Sequence, residues 1–501
     1  MSRNTFYLLL IGLGIIGIII VNYSTYWGVG LIDWDSFNYI SSARNLANGK
    51  GYVIPLYNEK VAPMTHFPPM LPSLLAIFEV IGLDAIYAAR IINIVLFGFS
   101  AVLAGITLKE ITKSFYFGLL GSILFVSSDI FIELHSWALS EPLLLFFTLL
   151  GFLIFYKYYE LRKFILLIIT GIILGLAFLT KYAGAANVGA VLLTILILKN
   201  KEFKQKLKEV AVVVFISMFP MVLWTVRNYT LTETFNARGI GYHPMGIGNF
   251  VQAFQTFFSW YFPEFLLLES KKLALAFLVA IVLIAIIVLT VYYGKNYKAE
   301  LLGRVRKMHF NALTFTYASY TLVYILVIMI AKTFFDPKIG MSDRMFSPVL
   351  LSSLVLVVTG LSDAWSRKSR WMQAMVISVS TYLIVLSIVG SLYRVPDFHE
   401  NGLGLNRKEI QNSVALRLLD ELADEKPIYN NYSFALYLRT GQAGFKLNRL
   451  RNQNITTNSV ILVIYKSKSP EPHAIVERLS ENLELLEDDE IASVYLYKVT
   501  E

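Results

Sequence analysis

Eleven apolar runs constrain what this chain can fold into more than any other feature. They lie at 6–21, 86–108, 114–131, 141–156, 164–180, 183–198, 209–226, 273–293, 310–331, 345–362 and 372–391. A hydrocarbon layer about 30 Å thick takes about 20 helical residues. Backbone amides inside it must be satisfied internally, so runs of this kind read as helices. Composition agrees: 501 residues, 56% hydrophobic and only 16% charged, where an ordinary soluble domain carries about 25% charged residues. One water-soluble globule and a disordered chain are both excluded. The expected fold class is a polytopic α-helical membrane protein. Its first run, Phe6 to Val21, lacks a small-residue cleavage site and ends in the interfacial aromatics Tyr23, Tyr26 and Trp27. It reads as a retained helix.

A twelfth stretch, 68–83, is apolar but short, opens with Pro-Pro and carries Glu79. Counting it as a span inverts every later loop, so the basic residues decide. With 68–83 at the interface, the loops 109–114, 157–163, 199–208, 295–308 and 364–370 share a side with Arg3, and together they hold nineteen Lys/Arg. By the positive-inside rule this places the N-terminus in the cytoplasm and the C-terminus outside; the expected location is a plasma (inner) membrane. The excess of 44 Lys+Arg over 35 Asp+Glu, a formal +9, is then a topological signal; nucleic acid is not an expected partner, whereas the bilayer is. Zero Cys excludes disulfides and thiolate chemistry. No Gly-rich phosphate loop occurs in a cytoplasmic segment, which argues against an ATP-driven machine.

Past residue 393 the pattern changes. Charge rises, Pro427–Asn431, Ser459–Tyr465 and Ile491–Val499 read as strands, and Ala474–Leu486 as an amphipathic helix. The expected division is a transmembrane domain, 1–393, and a small extracytoplasmic α/β domain, 394–501, large enough to bury a modest core.

Charges beside membrane helices are costly and tend to mark function. Here Asp33, Asp35, His66, Glu133, His135, Glu141, Lys181, Arg227, Asp336, Asp343 and Arg344 all fall on the outer face. For one residue, snorkelling or a local ion pair explains such a position; for the set, convergence on one face points to a polar site. Asp35 is expected to cap or begin a short amphipathic helix through Phe37, Tyr39, Ile40, Ala43 and Leu46. Trp224, Trp260 and Tyr261 read as interfacial aromatics.

Five motifs in register resemble one family. Asp35-(x3)-Tyr39-(x3)-Ala43-Arg44-x-Leu46 is followed by Gly49-Lys50-Gly51 and His66-Phe67-Pro68-Pro69-(x2)-Pro72. Then come Leu139-Ser140-Glu141-Pro142-Leu143, Gly175-Leu176-Ala177-Phe178-Leu179-Thr180-Lys181, Pro220-(x3)-Trp224-(x2)-Arg227-Asn228 and Asp343-Arg344-(x3)-Pro348. Together they resemble GT-C glycosyltransferases, above all the dolichyl-phosphate-mannose protein mannosyltransferase group (glycosyltransferase family 39) and its bacterial relatives, the aminoarabinose transferases of lipid A. The resemblance implies a GT-C fold with interfacial helices in the first outer loop. It implies a sugar donor linked through phosphate to a polyprenyl lipid, and a hydroxyl acceptor on a lipid, glycan or protein. Asp35 falls on the catalytic acid and is expected to act as general base. Lys181 and Arg344 fall where the phosphate is expected, with His66 and Arg227 as further candidates. Glu141 would hydrogen-bond sugar or acceptor, or orient a cation; Asp33 and Tyr39 complete the expected substrate-binding set. No cofactor or metal is required, because the lipid phosphate is its own leaving group, although a divalent cation stays compatible. The product anomer is expected to be inverted.

Three departures stand out. Ser36 follows Asp35, where the bacterial relatives have Glu. Phe67 precedes Pro-Pro, where they have Lys. The 227–271 segment is too short for the β-trefoil insertion of the protein mannosyltransferases proper. A transporter or flippase of lipid-linked saccharides is the alternative; it predicts mid-membrane charges and matched halves, and the sequence shows neither.

Overall fold

A computed structural model describes residues 1–56, 60–198, 202–235, 239–262, 311–447, 450, 459–468, 476–477 and 482–498. In chain order the helices begin with α1 (Arg3–Ser24), α2 (Asp33–Ala47), α3 (Met70–Val80), α4 (Ala85–Thr112), α5 (Phe115–Val126), α6 (Asp129–His135) and α7 (Glu141–Leu161). They continue with α8 (Phe164–Thr180), α9 (Ala185–Leu198), α10 (Phe203–Thr232), α11 (Ile247–Ser259), α12 (Ala312–Phe334), α13 (Asp343–Ser366) and α14 (Arg370–Asn401). The short helices α15 (Lys408–Gln411), α16 (Val414–Leu422) and α17 (Ser433–Thr440) follow. Strands β1 (Val53–Pro55) and β2 (Val61–Pro63) form a hairpin ladder; β3 (Ile428–Asn430), β4 (Phe445–Lys446), β5 (Ser459–Tyr465), β6 (Leu483–Asp488) and β7 (Ala492–Lys498) form one sheet.

Among the described residues seven helices are long and apolar enough to cross a membrane by themselves. The expected span at 114–131 is two helices, α5 and α6, bent by 58° at their break; counted as one, they make an eighth. The expected span at 273–293 lies outside the described residues. The 68–83 stretch yields α3, whose 11 residues rise only about 16 Å at 1.5 Å each, too little to cross.

The chain divides into two compact units. One comprises Met1–Ile18, Leu96–Leu134 and Ser140–Leu392. It is a helical bundle in which α8 packs against both α7 and α10. Gly171 and Gly175 make the second of these approaches possible. A Cβ on Gly171 would stand 2.9 Å from Ile216, and one on Gly175 would stand 3.2 Å from the Ser217 backbone. Small residues four apart let helices close backbone to backbone where lipid supplies no hydrophobic drive. At the far ends of α4 and α7, Glu110 lies between Lys109 at 2.9 Å and Lys157 at 3.3 Å.

The other unit comprises Ile19–Val95, His135–Leu139 and Tyr393–Glu501. Its sheet runs β4-β3-β5-β7-β6, parallel across the first three strands and antiparallel in the rest. On β5, Ile461, Val463 and Tyr465 join one core with α16 and α17, while Val460, Leu462 and Ile464 join a second on the opposite face. Covering both faces is why its sequence is an unbroken apolar run. The expected helix at 474–486 is overturned over 483–486, which belongs to β6. Leu and Glu favour helix locally, but pairing with β7, Leu483 opposite Tyr497 and Leu485 opposite Tyr495, overrides so weak a preference. Within this unit α3 packs on α2, and Phe37 of α2 meets Phe434 and Tyr437 of α17, ring centroids 4.8 and 5.4 Å apart. Glu79, the charge that made 68–83 ambiguous, accepts the Ala85 amide at 2.6 Å and so helps to start α4.

Candidate active site

In the helical unit three residues from distant parts of the sequence converge at helix ends. Glu141 opens α7, with Ser140 before it and Pro142 in the first turn, where a missing amide costs nothing. Lys181 follows α8 in extended backbone. Arg344 is the second residue of α13. Glu141 Oε1 accepts from Lys181 Nζ at 2.8 Å and from Arg344 Nε at 2.6 Å. The carboxylate is 1% exposed, the two cations 19% and 30%. One buried negative charge thus holds two positive ones that are still partly exposed, so the cluster carries a net positive charge. Such a pair suits an anion, because guanidinium and ammonium groups make strong charge-assisted bonds to phosphate.

Around this cluster the same unit supplies support. Trp224 is buried and donates from Nε1 to the Tyr182 hydroxyl at 3.2 Å, beside Lys181 in the chain. Arg227 lies over the Trp224 ring at 5.0 Å and donates to Asn228 Oδ1 at 3.0 Å. Trp260 Nε1 donates to Asp343 Oδ1 at 2.7 Å, and Thr256 Oγ1 to the Met341 carbonyl at 2.6 Å, so α11 holds the turn before Arg344. Lys332, absent from the expected set, is buried and donates to the carbonyls of Pro337 at 2.8 Å and Ile339 at 2.5 Å. It folds the link between α12 and α13; an apolar helix ending in one lysine was its only signal.

The first-loop residues lie in the other unit. Helix α2 starts at Asp33, two residues before the expected position. Asp35 therefore sits in its first turn and does not cap it: Ile32 is the cap and makes no side-chain cap bond. Ser36 Oγ accepts the Ile32 amide at 2.8 Å and donates to the Ala138 carbonyl at 3.1 Å. Its complete burial explains why a longer acid does not stand here. Tyr39 is buried, one turn on from Asp35, against Phe67 at 4.9 Å. His66 stands edge-on to Trp34 at 6.1 Å. Asp33 pairs with Lys468 at 2.6 Å, and Lys468 also lies over the Tyr432 ring at 4.4 Å. Burial and the Asp33 carboxylate together hold the Tyr432 hydroxyl far above the usual tyrosine range. The structure thus joins Glu141, Lys181 and Arg344 directly in one unit, with Arg227 supported by Trp224. In the other it groups Asp33, Asp35, Tyr39 and His66 along α2 and the loop that packs on it. Among the described residues no three His, Asp or Glu side chains gather as a metal site.

Residues 12–236 match the family model described as dolichyl-phosphate-mannose-protein mannosyltransferase. No curated protein matches the chain. Among solved structures, ArnT from Cupriavidus metallidurans bound to undecaprenyl phosphate is similar with a TM-score of 0.60 and 11% identity, over 99% of this chain and 98% of that one. Its apo state gives 0.61 and 12%, with the same coverage. The oligosaccharyltransferase from Archaeoglobus fulgidus in complex with Zn and sulfate gives 0.51 and 14%, over 93% of this chain and 69% of that one. The fold is that of GT-C membrane glycosyltransferases. Within that class it resembles the dolichyl-phosphate-mannose protein mannosyltransferase group.

Proposed function

We propose that the protein transfers a sugar from a polyprenyl-phosphate donor to a hydroxyl acceptor at the outer face of a plasma membrane, with inversion at the anomeric carbon. The observation that carries this reading is the Glu141 carboxylate holding Lys181 and Arg344 as a partly open cation pair. The similarity to a structure bound to undecaprenyl phosphate and the basic loops at 109–114, 157–163 and 364–370 support the donor class and the orientation.

Asp35 takes the proton from the acceptor hydroxyl. The acceptor oxygen attacks the anomeric carbon, the bond from that carbon to the phosphate oxygen breaks, and its electron pair leaves on the polyprenyl phosphate. Lys181 and Arg344 stabilise the charge that grows on that phosphate, with Arg227 as a further cation. Glu141 acts by positioning the pair, one of the roles expected from sequence. His66 and Tyr39 shape the loop beside Asp35. The departing phosphate carries its own charge, so the step as written needs no metal.

The test is transfer from a synthetic polyprenyl-phosphate sugar by the purified protein. Asp35→Asn is expected to lower turnover roughly 100- to 10,000-fold, the usual worth of a general base, with the fold unchanged. Turnover retained in that variant sinks the assignment of the base. Translocation of the lipid-linked sugar without a new glycosidic bond would point to a transporter.

A further inference from the structure

The unit that carries Asp35 also contains a cavity of about 720 Å³, within the span of roughly 300–1,000 Å³ usual for small-molecule sites. Its position follows from sheet topology. From β3 the chain crosses to β4 on one side, whereas β5, the neighbour of β3 on the other side, leads away to β6 and β7. Ligands of open α/β sheets bind beyond the carboxyl ends of strands at such a divergence. Here Tyr432 follows β3, Tyr465 ends β5, and Ser467 and Lys468 come next; all four line the cavity.

Its chemistry narrows the ligand. Five carboxylates line it against three cations, so the wall is net negative and unsuited to phosphate. Carboxylates, carboxamides and hydroxyls set around tyrosine rings are the groups that hydrogen-bond a hydroxyl-rich neutral molecule and cover its apolar faces. Tyr465 is only 4% exposed, and among the described residues its hydroxyl has no hydrogen-bond partner. Buried polar groups are nearly always partnered, so an unpartnered one on a residue that lines the cavity marks where a ligand is to be met. Arg439 and Asp420, also on the wall, are paired with each other at 2.7 Å. Asp33 closes the cavity at α2, two residues before Asp35.

We propose that this cavity docks a neutral, hydroxyl-rich saccharide, the acceptor of the transfer reaction, beside the turn that bears the base. The assignment as acceptor rests on the function proposed above; the saccharide site itself does not.

The full-length protein in detergent is titrated calorimetrically with neutral trisaccharides of glucose, mannose and galactose, and with a Ser/Thr-rich peptide. At least one trisaccharide is expected to bind at millimolar concentration. Tyr465→Phe, which removes only a hydroxyl without an internal bond, is expected to weaken binding roughly three- to tenfold, the worth of one neutral hydrogen bond. The variant's thermal midpoint is expected to match the wild type, which separates lost binding from lost fold. Saccharide binding by a protein that shows no transfer would overturn the proposed activity and leave the cavity assignment standing. Failure of every trisaccharide to bind, binding indifferent to Tyr465→Phe, or peptide binding in their place would overturn the cavity assignment.

Discussion

Glu141 and Asp33 are both carboxylates paired with lysine, yet they sit in opposite circumstances. Glu141 is 1% exposed and shared between Lys181 and Arg344. Asp33 is 37% exposed and meets Lys468, itself 40% exposed. Taking a charge out of water costs several kcal/mol, repaid only by close partners, whereas an exposed pair is screened and worth about 0–1 kcal/mol. Identical chemistry therefore does different work. In the helical unit the acid is an anchor that cannot be spared; in the other it is an adjustable lining of a cavity.

The largest effect expected from this contrast is that of Glu141→Gln. Neutralising the acid leaves two half-buried cations facing one another with no counter-charge. Breaking a buried pair from one side costs about 3–5 kcal/mol. Unfolding of the variant in detergent should show a loss of that order, together with loss of transfer. A stability close to wild type would mean that the cations relax outward, and would break the comparison at its strong end.

Asp489 supplies an intermediate case, a half-buried carboxylate satisfied by neutral donors. Its Oδ2 accepts the Ser413 hydroxyl at 2.6 Å and the Ala415 amide at 3.2 Å, where α16 begins. Its Oδ1 accepts the amides of Ile491 at 2.8 Å and Ala492 at 2.9 Å. Burial pushes its pKa up, but these hydrogen bonds outweigh burial and the net shift is downward. A depressed folded pKa gives stabilisation that is complete above the unfolded value, about 3.9, and is lost as pH falls through the folded one. Hydrogen exchange in peptides covering 413–422 should therefore accelerate as pH drops below about 4, beyond the intrinsic pH effect on exchange. Asp489→Ala should reproduce that loss at neutral pH, at about 1 kcal/mol as for a lost helix cap. Exchange indifferent to the substitution would show that the turn and α16 are held by packing instead.

What the sequence made legible follows the same division between local and distant. Helices such as α8 were readable to the residue because hydropathy is a local property. So was β5, whose apolar run betrays burial on both faces. The cations at 181 and 344 were readable as motif positions, but not their meeting on one carboxylate, since the pairs are separated by 40 and 203 residues. The Asp33–Lys468 contact spans 435 residues, and nothing near either residue announces the other. Strand β6 was missed because its Leu-Glu pattern suits a helix until β7 is beside it. The break between α5 and α6 lay inside a stretch read as one span; its only mark was Ser127-Ser128-Asp129, three polar residues that a hydropathy window averages away.

Lys468→Met gives the smallest expected effect and tests the weak end of the comparison. The substitution keeps most of the apolar stem while removing the charge that faces Asp33 at 2.6 Å and the Tyr432 ring at 4.4 Å. With both charges more than a third exposed, water replaces the lost partner, and the cost should stay under about 1 kcal/mol. The same exposure makes the contact sensitive to salt, since the screening length falls from about 10 Å at 0.1 M to about 3 Å at 1 M. Unfolding of wild type and variant should therefore converge as ionic strength rises. The gap between wild type and Glu141→Gln should narrow less, because the Glu141 carboxylate, 1% exposed, is out of reach of ions even though its cations are not. A Lys468→Met penalty as large as that of Glu141→Gln, and no more sensitive to salt, would show that burial does not separate the two acids.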